Sequence, residues 1–205
     1  MSVINCIDKI KFKLSPILHS FYDSKIFCKS IQNNINNSTI IGSSIYFYTY
    51  DGDNTENDNV YSYEKAYIMC KYLLLQLNYL YDSGYAFTHL ELNDILYINK
   101  KSFIISNFTN ICKIDDSGNI NIKYPIIKSK FSSPSILSID TIPCNISCTS
   151  FYHSLALIVL YKMDLSIDNL YLIYNTQLYW ILKKWIENKY KFGVPSIIPN
   201  TSLVR

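Results

Sequence analysis

Apolar and polar residues alternate in three short runs over the first 50 positions: Ile7 to Leu14, Lys25 to Ile31 and Ile40 to Tyr50. A period of two places alternate side chains on one face of an extended chain, so the runs predict three β-strands. The last two are separated by the Asn-rich loop Gln32 to Ser38. The acidic stretch Asp51 to Asn59 predicts an exposed loop and the one internal boundary. From Tyr63 to Tyr81 a run rich in Leu, Tyr and Met predicts a helix, stopped at Asp82-Ser83-Gly84 with Gly84 as the C-terminal cap. Tyr85 to Asp94 reads as a loop. Ile95 to Ile98 and Ser102 to Ser106 read as strands of a hairpin turned at Asn99-Lys100-Lys101. A second pair, Ile111 to Ile114 with Ile120 to Ile126, flanks the turn signal Asp115-Asp116-Ser117-Gly118-Asn119. An irregular stretch follows Ser132-Ser133-Pro134. The run Ser154 to Tyr161 is apolar on every side and predicts a helix inside the core. Thr176 to Tyr190 predicts a last helix carrying Trp180 and Trp185, which do not share one stripe, so that one packs inward and the other stays out.

Composition narrows the classes. The chain of 205 residues is 49% hydrophobic and 17% charged, which suits one folded domain, with or without a small appendage. A net charge of +3 without clustering argues against nucleic acid as a partner, and the 19 tyrosines without a basic groove do not make a stacking platform. Met1 to Ser20 interleaves Lys9, Lys11 and Lys13 with apolar residues and lacks the apolar block of a signal peptide. The densest apolar run, Leu155 to Tyr161, is far short of the roughly 20 residues of a membrane span. An intracellular protein with no membrane segment is expected, with Cys6, Cys28, Cys70, Cys112, Cys144 and Cys148 as buried thiols. Cys144 and Cys148 lack a second ligand pair at a usable spacing for zinc.

The order of helix, Gly-containing loop, hairpin, long segment, Ser-Pro and buried helix resembles the C-terminal lobe of eukaryotic-type protein kinases. The letters carry the resemblance. Leu73 to Tyr85 looks like the helix before the catalytic loop and its closing "L-H-S-x-G" phrase. The catalytic-loop pattern H-R-D-L-K-x-x-N-I-L falls on Phe87 to Leu96, D-F-G on Asn107-Phe108-Thr109, and A-P-E on Ser133-Pro134-Ser135. The opening of the buried helix, D-x-x-S-L-G, falls on Phe151 to Ala156. The resemblance covers about residues 45 to 160 and implies an α+β fold, protein kinase-like, with a truncated β-rich N-terminal lobe (1–50) and a mostly α-helical C-terminal lobe (51–205).

Phosphoryl transfer works by positioning and charge stabilisation, with magnesium bridging the nucleotide phosphates. Carried over residue by residue, the catalytic Asp corresponds to His89, the phosphate-steadying Lys to Glu91, the metal-binding Asn to Asp94, the metal-binding Asp to Asn107, and the activation-loop Arg to Thr88. Each departure weakens or reverses a required charge. Gly42 is the one glycine before Asp51, so a Gly-rich phosphate loop cannot be written, and neither Lys25 nor Lys29 marks the nucleotide-contacting Lys. Framework positions persist at Ile95, Leu96, Phe108, Ser154 and Leu155.

The resemblance therefore implies a pseudokinase that binds a protein partner, such as a host kinase or signalling protein, with no cofactor. With about 32 Ile, about 20 Asn and 19 Tyr, the chain looks like the divergent kinase-like proteins of large cytoplasmic DNA viruses, acting in the host cytoplasm; an AT-rich cellular parasite fits nearly as well. The alternative is a weak, atypical ATP-dependent serine/threonine kinase with magnesium and ATP held at Asp94 and Asn107 and His89 as base. As a plain loop, His89, Glu91 and Asp94 read as solvated polar residues. His153 reads as a packing or capping residue at the start of the buried helix, and His19 as filler.

Overall fold

A helix of 20 residues, α1 (Tyr63–Asp82), organises the part of the chain that the computed structural model describes: residues 7–13, 39–41, 44–50, 60–98, 102–105, 107 and 109–187, with the backbone alone for the first three strands and for Leu96, Ile98 and Ser102. Its start is written in Ser62, whose Oγ accepts from the Lys65 N–H at 3.3 Å, with Glu64 beside the positive end of the helix dipole. Its end is as the sequence predicts: Gly84 adopts φ +82° and donates its N–H to Tyr81 O at 2.9 Å. Ala66, Met69, Cys70, Leu73, Leu77 and Leu80 recur at helical spacing and are buried along one face.

The molecule is mixed α+β, with small antiparallel sheets. In the N-terminal one, β1 (Ile7–Lys13), β2 (Thr39–Ile41) and β3 (Ser44–Tyr50) lie in the order β1-β3-β2, with Ile7 opposite Tyr50 and Ile41 opposite Ser44. The single strand expected from Ile40 to Tyr50 is thus two strands running in opposite directions. Alternation cannot mark such a reversal, because the period of two continues through both. The predicted strand Lys25 to Ile31, the loop Asp51 to Asn59, the turn at Asn99 to Lys101, and Cys6, Cys28, His19 and Phe108 lie outside the described residues.

The expected hairpin is present as β5 (Ile95–Ile98) and β6 (Ser102–Ile105), with Leu96 opposite Ile104. Two expectations fail. Tyr85 to Phe87 is not loop but β4, paired with β7 (Ile111–Lys113) so that Ala86 faces Cys112. The pair expected around residues 115–119 is not a ladder. β7 goes to β4, whereas β8 (Asn119–Ile122) pairs with β9 (Cys144–Ser147), leaving a lone bridge between Ile114 and Ile120. The turn itself is real: Asp115 Oδ1 accepts from the Ser117 and Asn119 N–H groups, and Gly118 has φ +76°. A turn signal fixes where the chain reverses and not which strand it then joins.

The stretch expected to be irregular holds a one-turn helix, α2 (Pro134–Leu137), and β9. The buried helix α3 runs Ser150–Lys162, longer at its start than the apolar run, and ten of its thirteen residues are buried. The final helix α4 (Gln177–Ile186) begins at its cap Thr176, whose Oγ1 accepts from the Tyr179 N–H. Trp185 is buried, stacked on Tyr152, while Trp180 stays exposed, as the spacing predicts. Leu73 and Leu77 of α1, Phe87 of β4, Phe103 to Ile105 of β6, Leu155 and Val159 of α3, and Leu182 of α4 meet in one core. Each large apolar side chain so buried contributes about 1.5–3 kcal/mol. Cys70 and Cys148 are buried thiols as expected; Cys112 and Cys144 are half-buried, since each lies on a short strand with one open face. No helix among the described residues is long and apolar enough to cross a membrane.

Candidate functional site

The stretch from Phe87 to Asp94 is drawn into the protein by its two ends. Phe87 closes β4 with its ring in the core, and the Thr88 N–H continues the ladder one step, donating to Asn110 O at 2.9 Å. At the far end Leu92–Asp94 forms a 3-10 turn leading straight into β5. Pinned between two β pairs, the loop buries His89 and Asp94, which are 5% and 4% exposed. The expectation of a solvated polar loop is therefore wrong for these two residues. Local polarity suggested water, but the β4–β7 pairing, made with residues some 20 positions away, carries the loop inward.

His89 Nδ1 lies 3.0 Å from Thr88 Oγ1, and Nε2 faces the Asn110 amide nitrogen at 3.5 Å. Each ring nitrogen thus faces a neutral polar group, the Thr88 hydroxyl at one and the Asn110 amide at the other. Nε2 also lies 3.7 Å from Glu91 Oε1. Burial pushes the His89 pKa below its ordinary value, opposed by the nearby carboxylates of Glu91 and Asp94. The ring is thus neutral at neutral pH.

Glu91 stands at the N-cap of the 3-10 turn, and its Oε1 accepts from Ser129 Oγ at 2.5 Å. Its backbone N–H donates to Asp94 Oδ2 at 2.8 Å. The other oxygen of Asp94, Oδ1, accepts from Asn107 Nδ2 at 2.8 Å, and Asn107 Oδ1 in turn accepts from the Thr109 N–H and Oγ1. All four residues singled out in the sequence, His89, Glu91, Asp94 and Asn107, therefore belong to one connected network.

Three members were missed as partners: Asn110, Ser129 and Thr109. Asn110 sits across from Thr88 and would have followed from the β4–β7 pair. Ser129 stands 38 positions from Glu91, and no local signal marks it. No group of three or more His, Cys, Asp or Glu residues among the described residues is arranged to hold a metal ion. The network's chemistry is that of a lock. Both Asp94 oxygens accept hydrogen bonds from within the chain, and the charged groups bearing on His89 are carboxylates, which repel phosphate. A magnesium ion entering at Asp94 and Asn107 would have to displace the bond between them.

No family model matches the chain, and a search of curated proteins found none that matches it.

Proposed function

We propose that the chain is a kinase-like protein, divergent in the manner of those from large cytoplasmic DNA viruses, that has lost phosphoryl transfer and acts by binding a protein partner inside the cell. The observation that carries the reading is the 2.8 Å contact between Asp94 and Asn107. In the family that the sequence resembles, these two positions share a magnesium ion, so their side chains must meet although they stand thirteen positions apart. Here they do meet, but as a carboxylate accepting from an amide, each engaged with the other. His89 stands where the proton-accepting Asp would be, hydrogen-bonded to Thr88 and facing Asn110. Glu91 stands where a cation would steady the phosphate, and it is tied to Ser129. On this reading the three N-terminal strands are the remnant of a reduced upper lobe and residues 51–205 the lower one. The nearness of Asp94 to Asn107 also supports the second reading, a weak kinase whose magnesium and ATP use that pair.

A thermal-shift titration of the purified chain with ATP, with and without magnesium, separates the two. The expected result is an unchanged melting temperature at millimolar nucleotide, because a ligand that does not bind the native state cannot stabilise it. A rise that needs magnesium and disappears in Asp94→Asn would transfer the assignment to the weak kinase.

A further inference from the structure

Two groups stand out among the exposed apolar side chains described. Tyr171, Leu172, Tyr174 and Trp180 form one on the surface near α4, where Lys183 is paired with Glu187 at 3.9 Å, so that its charge is offset locally. The other is mainly basic. Between Ser117 and Ile139 the chain carries Lys123, Lys128 and Lys130 and no Asp or Glu, with Asp116 and Asp140 just beyond its ends. Tyr124 and Ile127 in this stretch are 79% and 86% exposed, the highest values among the large apolar residues described.

The fold gathers more apolar surface around them. β8 and β9 pair as far as Ile122 opposite Cys144, so that the segments carrying Tyr124 and the exposed Ile142 leave the same end of the ladder. Lys128 Nζ donates to Leu137 O at 2.8 Å and Ile139 O at 3.0 Å, which ties the segment of Ile127 to the end of α2 and its exposed Leu137. Lys130 lies over the Tyr161 ring at 3.8 Å. The main chain of residues 124–128 makes no hydrogen bond to any described residue, so its C=O groups and, except at Pro125, its N–H groups are open to an incoming chain.

We propose that residues 123–130, with Leu137 and Ile142, form a docking surface for an acidic segment of a partner protein that carries apolar side chains between its carboxylates. Charge selects this occupant: exposed Lys123 and Lys130 complement Asp and Glu, Tyr124, Ile127, Leu137 and Ile142 take the apolar side chains, and the open main chain takes backbone hydrogen bonds. The inference deepens the protein-binding reading and rests on it.

The test uses the full chain and a fluorescently labelled synthetic peptide that alternates Glu with Leu or Phe, followed by anisotropy. The expected result is binding that weakens as salt is raised, and none by the same peptide with Lys in place of Glu. Ile127→Glu and Lys123→Glu should each weaken binding by about tenfold, a hot-spot-sized loss, with the melting temperature unchanged because both side chains are exposed. Trp180→Ala should bind as the parent chain does. Equal binding by Ile127→Glu, or equal binding of the Lys peptide, overturns the proposal. So does capture by phosphatidylserine vesicles with no binding of the Glu peptide, which would make the surface a membrane contact. The parent reading fails on a different result, the magnesium-dependent shift with ATP, which leaves the peptide measurement unaffected.

Discussion

Gln76 lies in the middle of α1 with none of its surface exposed, and its side-chain amide spans to β6. Nε2 donates to Phe103 O at 2.8 Å, and Oε1 accepts from the Ile105 N–H at 3.0 Å. One side chain thus satisfies two main-chain groups on the inward edge of a two-stranded pair. Gln76→Ala leaves both without partners in the core, at about 1–3 kcal/mol for each unsatisfied group. A urea-unfolding midpoint is expected to fall accordingly, and a variant within about 0.5 kcal/mol of the parent, the range of plain surface changes, would show that the strap contributes nothing. In the sequence this Gln stands in the run Leu73-Leu74-Leu75-Gln76-Leu77 and carries no mark of its role. The same holds for Ser129, one serine among several until the fold sets it against Glu91. Asp94 and Asn107 differ, because the resemblance to the kinase pattern had paired them before any contact was known.

Elements were legible where their signals are local. Gly84 ends α1 in the left-handed region as its place after the apolar run suggests, while Ser62 and Thr176 are seen only in the structure to cap α1 and α4 through their hydroxyls. Gly84→Ala is expected to cost about 1 kcal/mol from backbone strain alone, since an added Cβ there meets nothing within 4 Å. Thermal denaturation checks this, and an unchanged or higher melting temperature would mean that the turn relaxes to accept the new residue. What was not legible depended on distant partners. β4 is three residues long, too short for alternation to show, and exists through its pairing with β7. β9 follows a stretch with no pattern at all and is held by β8. At the start of α3, Ser150 and His153 have weak helical preference, but the core around them favours burying that turn as helix.

At the scale of the whole molecule, two neutral histidines couple stability to pH. Burial lowers the pKa of His89 and of His153 below the ordinary 6.5. As pH falls, the unfolded chain takes up these protons first, so it binds more of them than the native state and stability declines. The loss begins near pH 6.5 and continues as pH falls through the lowered native pKa values. His153 has no partner for its Nδ1, so His153→Leu removes one titrating group without breaking a bond at that atom. The melting temperature of the parent chain should fall between pH 7.5 and 5.5, and that of His153→Leu should fall less. Equal slopes for the two would mean that His153 does not contribute. His89 would account for the remainder, since its protonation in place acts against burial even though Glu91 and Asp94 favour it.

The sequence by itself determined the long helix and its C-terminal stop, the core helix α3, the β5–β6 hairpin and the inward and outward tryptophans. These follow from periodicity, helix-stop and turn chemistry, which act over a few residues. The tertiary structure alone decided which strands pair, that His89 and Asp94 are buried, and that Ser129 and Asn110 join them. It also decided that Tyr124, Ile127, Leu137 and Ile142 stay exposed. Those outcomes depend on closing loops of tens of residues, where the gain comes from contacts that no local stretch of sequence contains.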